Sequence, residues 1–259
     1  MSSIEDEAVS RKRKYPTIDA LITDHDLRLH VGRYETGAPD VLLTFGTALL
    51  RDHHPAPLPA AGLVASLEDN LSVFIPGLSP EKRRDISASL LNGRIQFLNT
   101  LSELGLARYY VELGWCVRLA EPLPTGQKDV DLLMSLGGDV RWLDVVNAAP
   151  NEWEGDGFVP PVPNDFETRL VDKVVQKFTS KFRAAIDAGW TGAPWVALDF
   201  TKNDGIAMGV TVLELIGSYK LKDFADGVLR RCPGLAGVVY FTYHATETEA
   251  RWVREWRRP

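Results

Sequence analysis

Two aspartates stand at matching places in two short apolar segments. Asp131 lies in DVDLLMSL, Asp144 lies in VRWLDVV, and the turn LGGD at 136–139 separates them. Strand side chains alternate between faces and a Gly-Gly turn makes a hairpin, so both carboxylates should reach the same end of it. Carboxylates this close repel unless a proton or cation lies between them, which predicts a Mg²⁺ site. The alternative is that both aspartates face solvent at strand ends.

The elements around this hairpin alternate between helices and strands. Residues 94–113 have apolar side chains at helical spacing, and Gly114 ends the helix. A second long helix is expected at 165–189. The order predicts an α/β fold with a mixed central sheet flanked by helices. The remaining predicted elements are the strands WCVRLAEPL, PWVALDFT and GLAGVVYFTYH, the short helix DFADGVLRRC and a terminal helix in ETEARWVREWRR.

This element order and the spacing of the acids resemble the PD-(D/E)xK nuclease superfamily, whose core is αβββαβ. The resemblance spans residues 94–243, and the positions matching the family's acids are Glu103, Asp131 and Asp144. It implies a restriction-endonuclease-like fold and a nuclease that hydrolyses nucleic-acid phosphodiesters, with DNA as the expected substrate. It also implies Mg²⁺ or Mn²⁺ held by the two aspartates and the Val145 carbonyl, with Glu103 holding a second ion or orienting water.

The lysine of the family motif is missing, because its position falls on Val146. Lys173 and Lys177 lie one turn apart on the predicted helix at 165–189, so either is a candidate to supply the ammonium. Lys128 is a weaker candidate. The alternative is that Lys173, Lys177 and Lys181, which repeat every four residues, form a solvated helix face. The fold would then serve as a catalytically inactive binding or assembly module, with a homodimer as one form of assembly.

Composition and charge limit the other classes of function. The 259 residues are 45% apolar and 25% charged, as in ordinary globular proteins. The net charge of -6 argues against a protein that wraps nucleic acid over a broad surface. No apolar run is long enough for a membrane span and the N-terminus lacks a signal peptide, so a cytoplasmic location is expected.

The first 35 residues are mostly charged, with too few apolar positions to form a core. Residues 1–92 are therefore predicted to be a partly helical N-terminal extension, and 93–259 the nuclease-like core with a C-terminal helix. Cys116 and Cys232 share no metal-ligand spacing, and Cys116 is expected to be a buried thiol. The chain has no G-x-S-x-G, P-loop or G-x-G-x-x-G motif, which disfavours serine hydrolases, NTPases and dinucleotide enzymes.

Overall fold

The computed structural model describes residues 3–35, 44–51, 62–126, 128–148, 166–200, 218–243 and 250–259. They belong to two compact units, the first ending at Gly105 and the second beginning at Leu106. This division falls inside a helix, Gly93–Glu112, and the boundary predicted between 92 and 93 stays a prediction. No helix within the described ranges is long and apolar enough to cross a membrane.

The first unit consists of helices. Ser79 begins one of them as predicted, since its hydroxyl accepts a hydrogen bond from the Lys82 amide at 3.3 Å. The helices are α1 (Ile4–Lys12), α2 (Pro16–Leu21), α3 (Asp24–Glu35), α4 (Phe45–Arg51), α5 (Leu63–Phe74), a 3₁₀ turn (Ile75–Gly77), α6 (Pro80–Leu91) and α7 (Gly93–Glu112), whose last turns belong to the second unit.

The N-terminal residues form part of a core although few of them are apolar. Val9, Ile18 and Leu27, one from each of the first three helices, are buried. Lys12 is buried as well, with its ammonium 2.9 Å from Asp19 and 2.8 Å from the carboxylate of Asp24. The expectation that this region lacks a core is therefore wrong. Each short helix contributes a narrow apolar stripe, and several stripes together enclose an interior.

The second unit is built on a six-stranded mixed sheet whose strands lie in chain order. The first three strands form an antiparallel meander, the fourth and fifth run parallel to the third, and the sixth is antiparallel. The strands are β1 (Cys116–Pro122), β2 (Asp129–Leu136), β3 (Asp139–Asn147), β4 (Pro194–Asp199), β5 (Gly237–Tyr243) and β6 (Ala250–Arg257).

Helices cover one face of this sheet and share a buried core with it. Phe178 and Val228 come from two of these helices and pack in one cluster with Val146 and Val196 of the sheet. The α/β fold with a mixed sheet flanked by helices is as the sequence predicts. The helices are α8 (Phe166–Phe178), continued by a π-helical turn (Thr179–Arg183) and α9 (Ala184–Asp187), and α10 (Ser218–Arg231).

Two expectations for the second unit are wrong. The predicted terminal helix is instead strand β6, which pairs with β5, and the Trp256 ring packs 5.0 Å from Tyr240. Its Arg and Glu residues favour a helix in isolation, but pairing with β5 satisfies the backbone and buries Val253. Cys116 is exposed on the edge strand β1, whereas Cys232 is the buried cysteine.

Candidate functional site

The β2–β3 hairpin sets the two aspartates side by side. Gly137 and Gly138 form its turn with positive φ angles of 55° and 89°, as a two-residue hairpin turn with this twist requires. In the antiparallel pairing of β2 with β3, Leu136 lies opposite Asp139 next to the turn, and Leu132 lies opposite Leu143. One further step in this register brings Asp131 opposite Asp144, as predicted from their spacing.

The two carboxylates differ in burial. Asp144 is completely buried, whereas the side chain of Asp131 is 23% exposed. The backbone N–H of Val145 donates to Asp131 Oδ2 at 2.6 Å, which fixes this carboxylate against the neighbouring strand. The interpretation that both aspartates face solvent is therefore wrong for Asp144, and the opening of the site lies on the side of Asp131.

Two lysines from the helical layer contact this pair. The Lys181 ammonium donates to Asp144 Oδ1 in a very short contact and lies 3.5 Å from Asp131 Oδ1. The Lys177 ammonium lies 3.2 Å from Asp144 Oδ2. Because both carboxylates contact one ammonium nitrogen, they converge on the same side of the sheet.

The π-helical turn explains how both lysines reach the same carboxylate. Each step of four residues along an α-helix rotates a side chain by about 40°, so a row of lysines four residues apart drifts away from one face. A π turn, with i→i+5 hydrogen bonds, holds more residues and offsets this drift. The turn at Thr179–Arg183 thus keeps Lys181 beside Lys177 while Phe178 and Phe182 both remain in the core. Such turns are frequent at functional sites.

Burial and charge shift the protonation of this cluster. Burial and the nearby charge of Asp131 raise the pKa of the Asp144 carboxyl to about 7, against the opposing effect of Lys181 and Lys177. Burial disfavours the charged form of Lys181, but the two carboxylates outweigh it and raise its pKa. Burial and the charge of Lys177 lower the pKa of Lys173. Among these groups, the Asp144 carboxyl is the one whose pKa burial moves toward neutral pH.

One oxygen of the buried carboxylate lacks a hydrogen-bond donor. Asp144 Oδ2 is buried and accepts no hydrogen bond from the described residues. The Lys177 ammonium lies 3.2 Å away but is not oriented to donate to this oxygen, so its contact is electrostatic. An oxygen of this kind, beside a second carboxylate, fits Mg²⁺, which binds one or two carboxylates together with waters and substrate phosphates. Any cation that binds here competes with Lys181.

Two carboxylates, those of Asp131 and Asp144, are placed to bind such an ion. Within the part of the chain that the structure describes, no group of three or more His, Cys, Asp or Glu side chains is arranged to hold a metal ion. Glu103 lies on α7 in the first unit, so its role as the accessory acid stays a prediction.

The lysine that the sequence analysis missed is Lys181. The sequence predicts it only as the last member of a solvated lysine row, yet it contacts both aspartates. Lys177, a predicted candidate, contacts Asp144, and Lys173 lies one turn earlier on α8. Val146 is buried in the core, so its strand position supplies no cation. The four-residue spacing of the lysines was the signal in the sequence. The π-helical turn is what brings Lys177 and Lys181 to the same carboxylate.

Comparisons with known proteins show no family for this chain. No protein-family model matches it, and no curated protein matches it. Among solved structures, SfsA from Pyrococcus furiosus in complex with Ca²⁺ is similar, with 13% sequence identity and a TM-score of 0.24. The match covers 62% of this chain and 60% of that protein. So distant a likeness carries no argument, and the fold rests on the strand order described above.

Proposed function

We propose that this chain is a divalent-metal-dependent nuclease of the PD-(D/E)xK type, with a lysine supplied by a helix instead of by the third strand. The observation that carries the proposal is the convergence of Asp131 and Asp144 on one ammonium at the opening of the β2–β3 hairpin. Acidic oxygens that meet at a partly open point are the donor set that phosphodiester hydrolysis by a metal needs.

Each side chain of the cluster has a distinct part in this proposal. Asp131 and Asp144 would hold Mg²⁺ or Mn²⁺, and the bound ion would polarise a phosphodiester and lower the pKa of a water. Lys177 is 38% exposed, so its ammonium can reach a phosphate while it remains beside Asp144. There it would offset the negative charge that develops on the phosphate. Lys181 is 13% exposed and would hold the two carboxylates together until a divalent ion displaces its ammonium.

A second candidate is a binding or assembly module without catalysis. The observation that favours it is the charge balance of the cluster, in which two aspartates face two lysines and need no further cation. In this case the four side chains stabilise the packing of the helical layer on the sheet, and divalent ions do not displace Lys181. The two candidates therefore differ in whether a divalent ion binds.

Cleavage and ion binding together separate the candidates. Nicking of supercoiled plasmid DNA is followed with Mg²⁺ or Mn²⁺ for the wild type, Asp144→Asn and Asp187→Asn. Asp187 is the matched control, because it is an exposed acid paired with Arg183 on the same helical run. We expect Asp144→Asn to nick DNA at least about a hundredfold more slowly than the wild type, and the control to nick it at the wild-type rate. Equal nicking by the wild type and Asp144→Asn contradicts the nuclease proposal.

Calorimetric titration with Mn²⁺ tests the competition with Lys181. In Lys181→Met no ammonium lies between the carboxylates, so we expect Mn²⁺ to bind at least about tenfold more tightly than in the wild type. Lys177→Met should retain ion binding and lose nicking. If neither the wild type nor Lys181→Met binds Mn²⁺ while both remain folded by circular dichroism, the non-catalytic module is the correct assignment.

A further inference from the structure

A cleft of about 800 Å³ lies within the first unit, between α2, α3 and α6. Arg33, Arg83 and Arg84 are among the residues that line it, together with one acidic residue, Asp26. Three cations against one anion give the cleft a positive charge, although the chain as a whole is acidic. The cleft is thus a local exception to the charge of the protein.

The three arginines differ in how firmly hydrogen bonds fix their guanidinium groups. Arg83 is anchored, because its Nε donates to the Leu78 carbonyl at 3.1 Å and its Nη2 to the Pro76 carbonyl at 3.4 Å. Arg33 and Arg84 are exposed, and neither forms an ion pair with a carboxylate among the described residues. Guanidinium groups without a carboxylate partner are well suited to bind phosphate, because their planar N–H groups match its oxygens.

His30, which also lines the cleft, does not add to this charge. His30 is buried, its Nδ1 lies 2.8 Å from the Leu91 carbonyl, and its Nε2 accepts from the Gly46 N–H at 3.2 Å. These partners assign the proton to Nδ1 of a neutral ring, and burial lowers the pKa of His30. The ligand charge is therefore matched by the arginines alone.

The lining also indicates which part of a ligand is recognised. Among the described residues that line the cleft there is no Phe, Tyr or Trp. Proteins that hold unpaired bases stack them on aromatic side chains, so this surface has no platform for a base. It does offer hydroxyl groups, from Thr17, Ser87 and Ser89, which can donate to phosphate oxygens, whereas the Thr23 hydroxyl already donates to Asp26 at 2.6 Å.

We propose that this cleft binds the phosphodiester backbone of a nucleic acid without reading its bases. The assignment to nucleic acid rests on the proposed nuclease function, whereas the preference for phosphate follows from the arginines themselves. The first unit then contributes affinity for the substrate, and the chemistry belongs to the second unit. Sequence-independent binding of this kind depends strongly on salt, because each phosphate contact releases a counterion.

Binding is measured by fluorescence anisotropy of a labelled DNA duplex in EDTA, so that no cleavage occurs. The test variant is Arg33→Gln with Arg84→Gln, which leaves the anchored Arg83 intact. The control is Arg13→Gln with Arg231→Gln, which removes the same charge from two exposed arginines already paired with Asp24 and Asp172. We expect the test variant to bind at least about tenfold more weakly and to reduce the salt-dependence slope by about 2, and the control to change neither greatly.

The outcomes distinguish this proposal from the nuclease proposal. If the test variant binds DNA as tightly as the wild type, or if the wild type does not bind DNA, the cleft proposal is overturned, whatever the nicking assay gives. Inorganic phosphate and a mononucleotide serve as competitors at equal phosphate concentration. Weak competition supports a nucleic-acid backbone, whereas complete displacement by the mononucleotide alone assigns the cleft to small phosphate compounds and overturns the proposal.

Discussion

Replacement of Asp144 by asparagine should change how the stability of the protein depends on pH. The folded state raises the pKa of Asp144 from 3.8 to about 7, because the carboxyl is buried and lies beside Asp131. A raised pKa means that the folded protein holds this proton more tightly than the unfolded chain does. The resulting stability is fully present below the unfolded pKa and is lost as the pH rises through the folded pKa. Asparagine has no proton to lose, so the variant lacks this dependence.

The magnitude follows from the two pKa values. A rise from 3.8 to about 7 corresponds to about 4 kcal/mol of unfolding free energy, which is present at low pH and lost above the folded pKa. Between about pH 5 and about pH 8, the wild type should lose roughly 2 to 3 kcal/mol relative to Asp144→Asn. Asp144 is completely buried, so solvent does not screen this effect. The buried His30 has a lowered pKa and acts with the opposite sign, but it is present in both proteins and cancels in the difference.

The assay is urea unfolding of the wild type and Asp144→Asn at several pH values in EDTA, which excludes divalent ions. Asp187→Asn again serves as control, and its exposed ion pair with Arg183 should contribute less than about 1 kcal/mol at any pH. A difference between wild type and Asp144→Asn that stays constant, or that changes in favour of the wild type as the pH rises, refutes the reasoning. In that case Lys177 and Lys181 keep Asp144 ionised despite its burial.

Three further changes test local features of the fold. Ala120 has a φ of 49° in strand β1, so Ala120→Gly should relieve backbone strain and raise the unfolding free energy by up to about 1 kcal/mol in urea titrations. Arg141 is buried between two tryptophan rings and its Nη1 lies 2.7 Å from Glu255, so Arg141→Met should lower the thermal midpoint with a loss of about 3 kcal/mol. Ser79→Ala removes the N-cap of α6 and should cost about 1 kcal/mol by urea unfolding, whereas Ser79→Asp should retain the stability.

Local patterns in the sequence were sufficient for the hairpin that carries the aspartates. Gly137 and Gly138 fix the turn, and the alternation of side chains along two strands then determines that Asp131 and Asp144 share one end. The helix ends at Ser79 and Gly114 were predicted for the same reason, because capping depends on residues within one turn. The terminal segment was mispredicted, because its strand depends on pairing with the distant strand β5.

The sequence by itself determined the α/β order of elements, the hairpin and the pairing of its two acids, since each depends on interactions between near neighbours in the chain. The tertiary structure alone decided which lysines reach those acids and that the N-terminal helices share a core. Lys181 contacts Asp144 only because a π-helical turn corrects the rotation of the helix while Phe178 and Phe182 remain packed on the sheet. The π-helical turn forms because it lets the phenylalanines stay buried while the helix continues. A four-residue repeat in the sequence does not specify this turn, because the turn depends on the surface against which the helix packs.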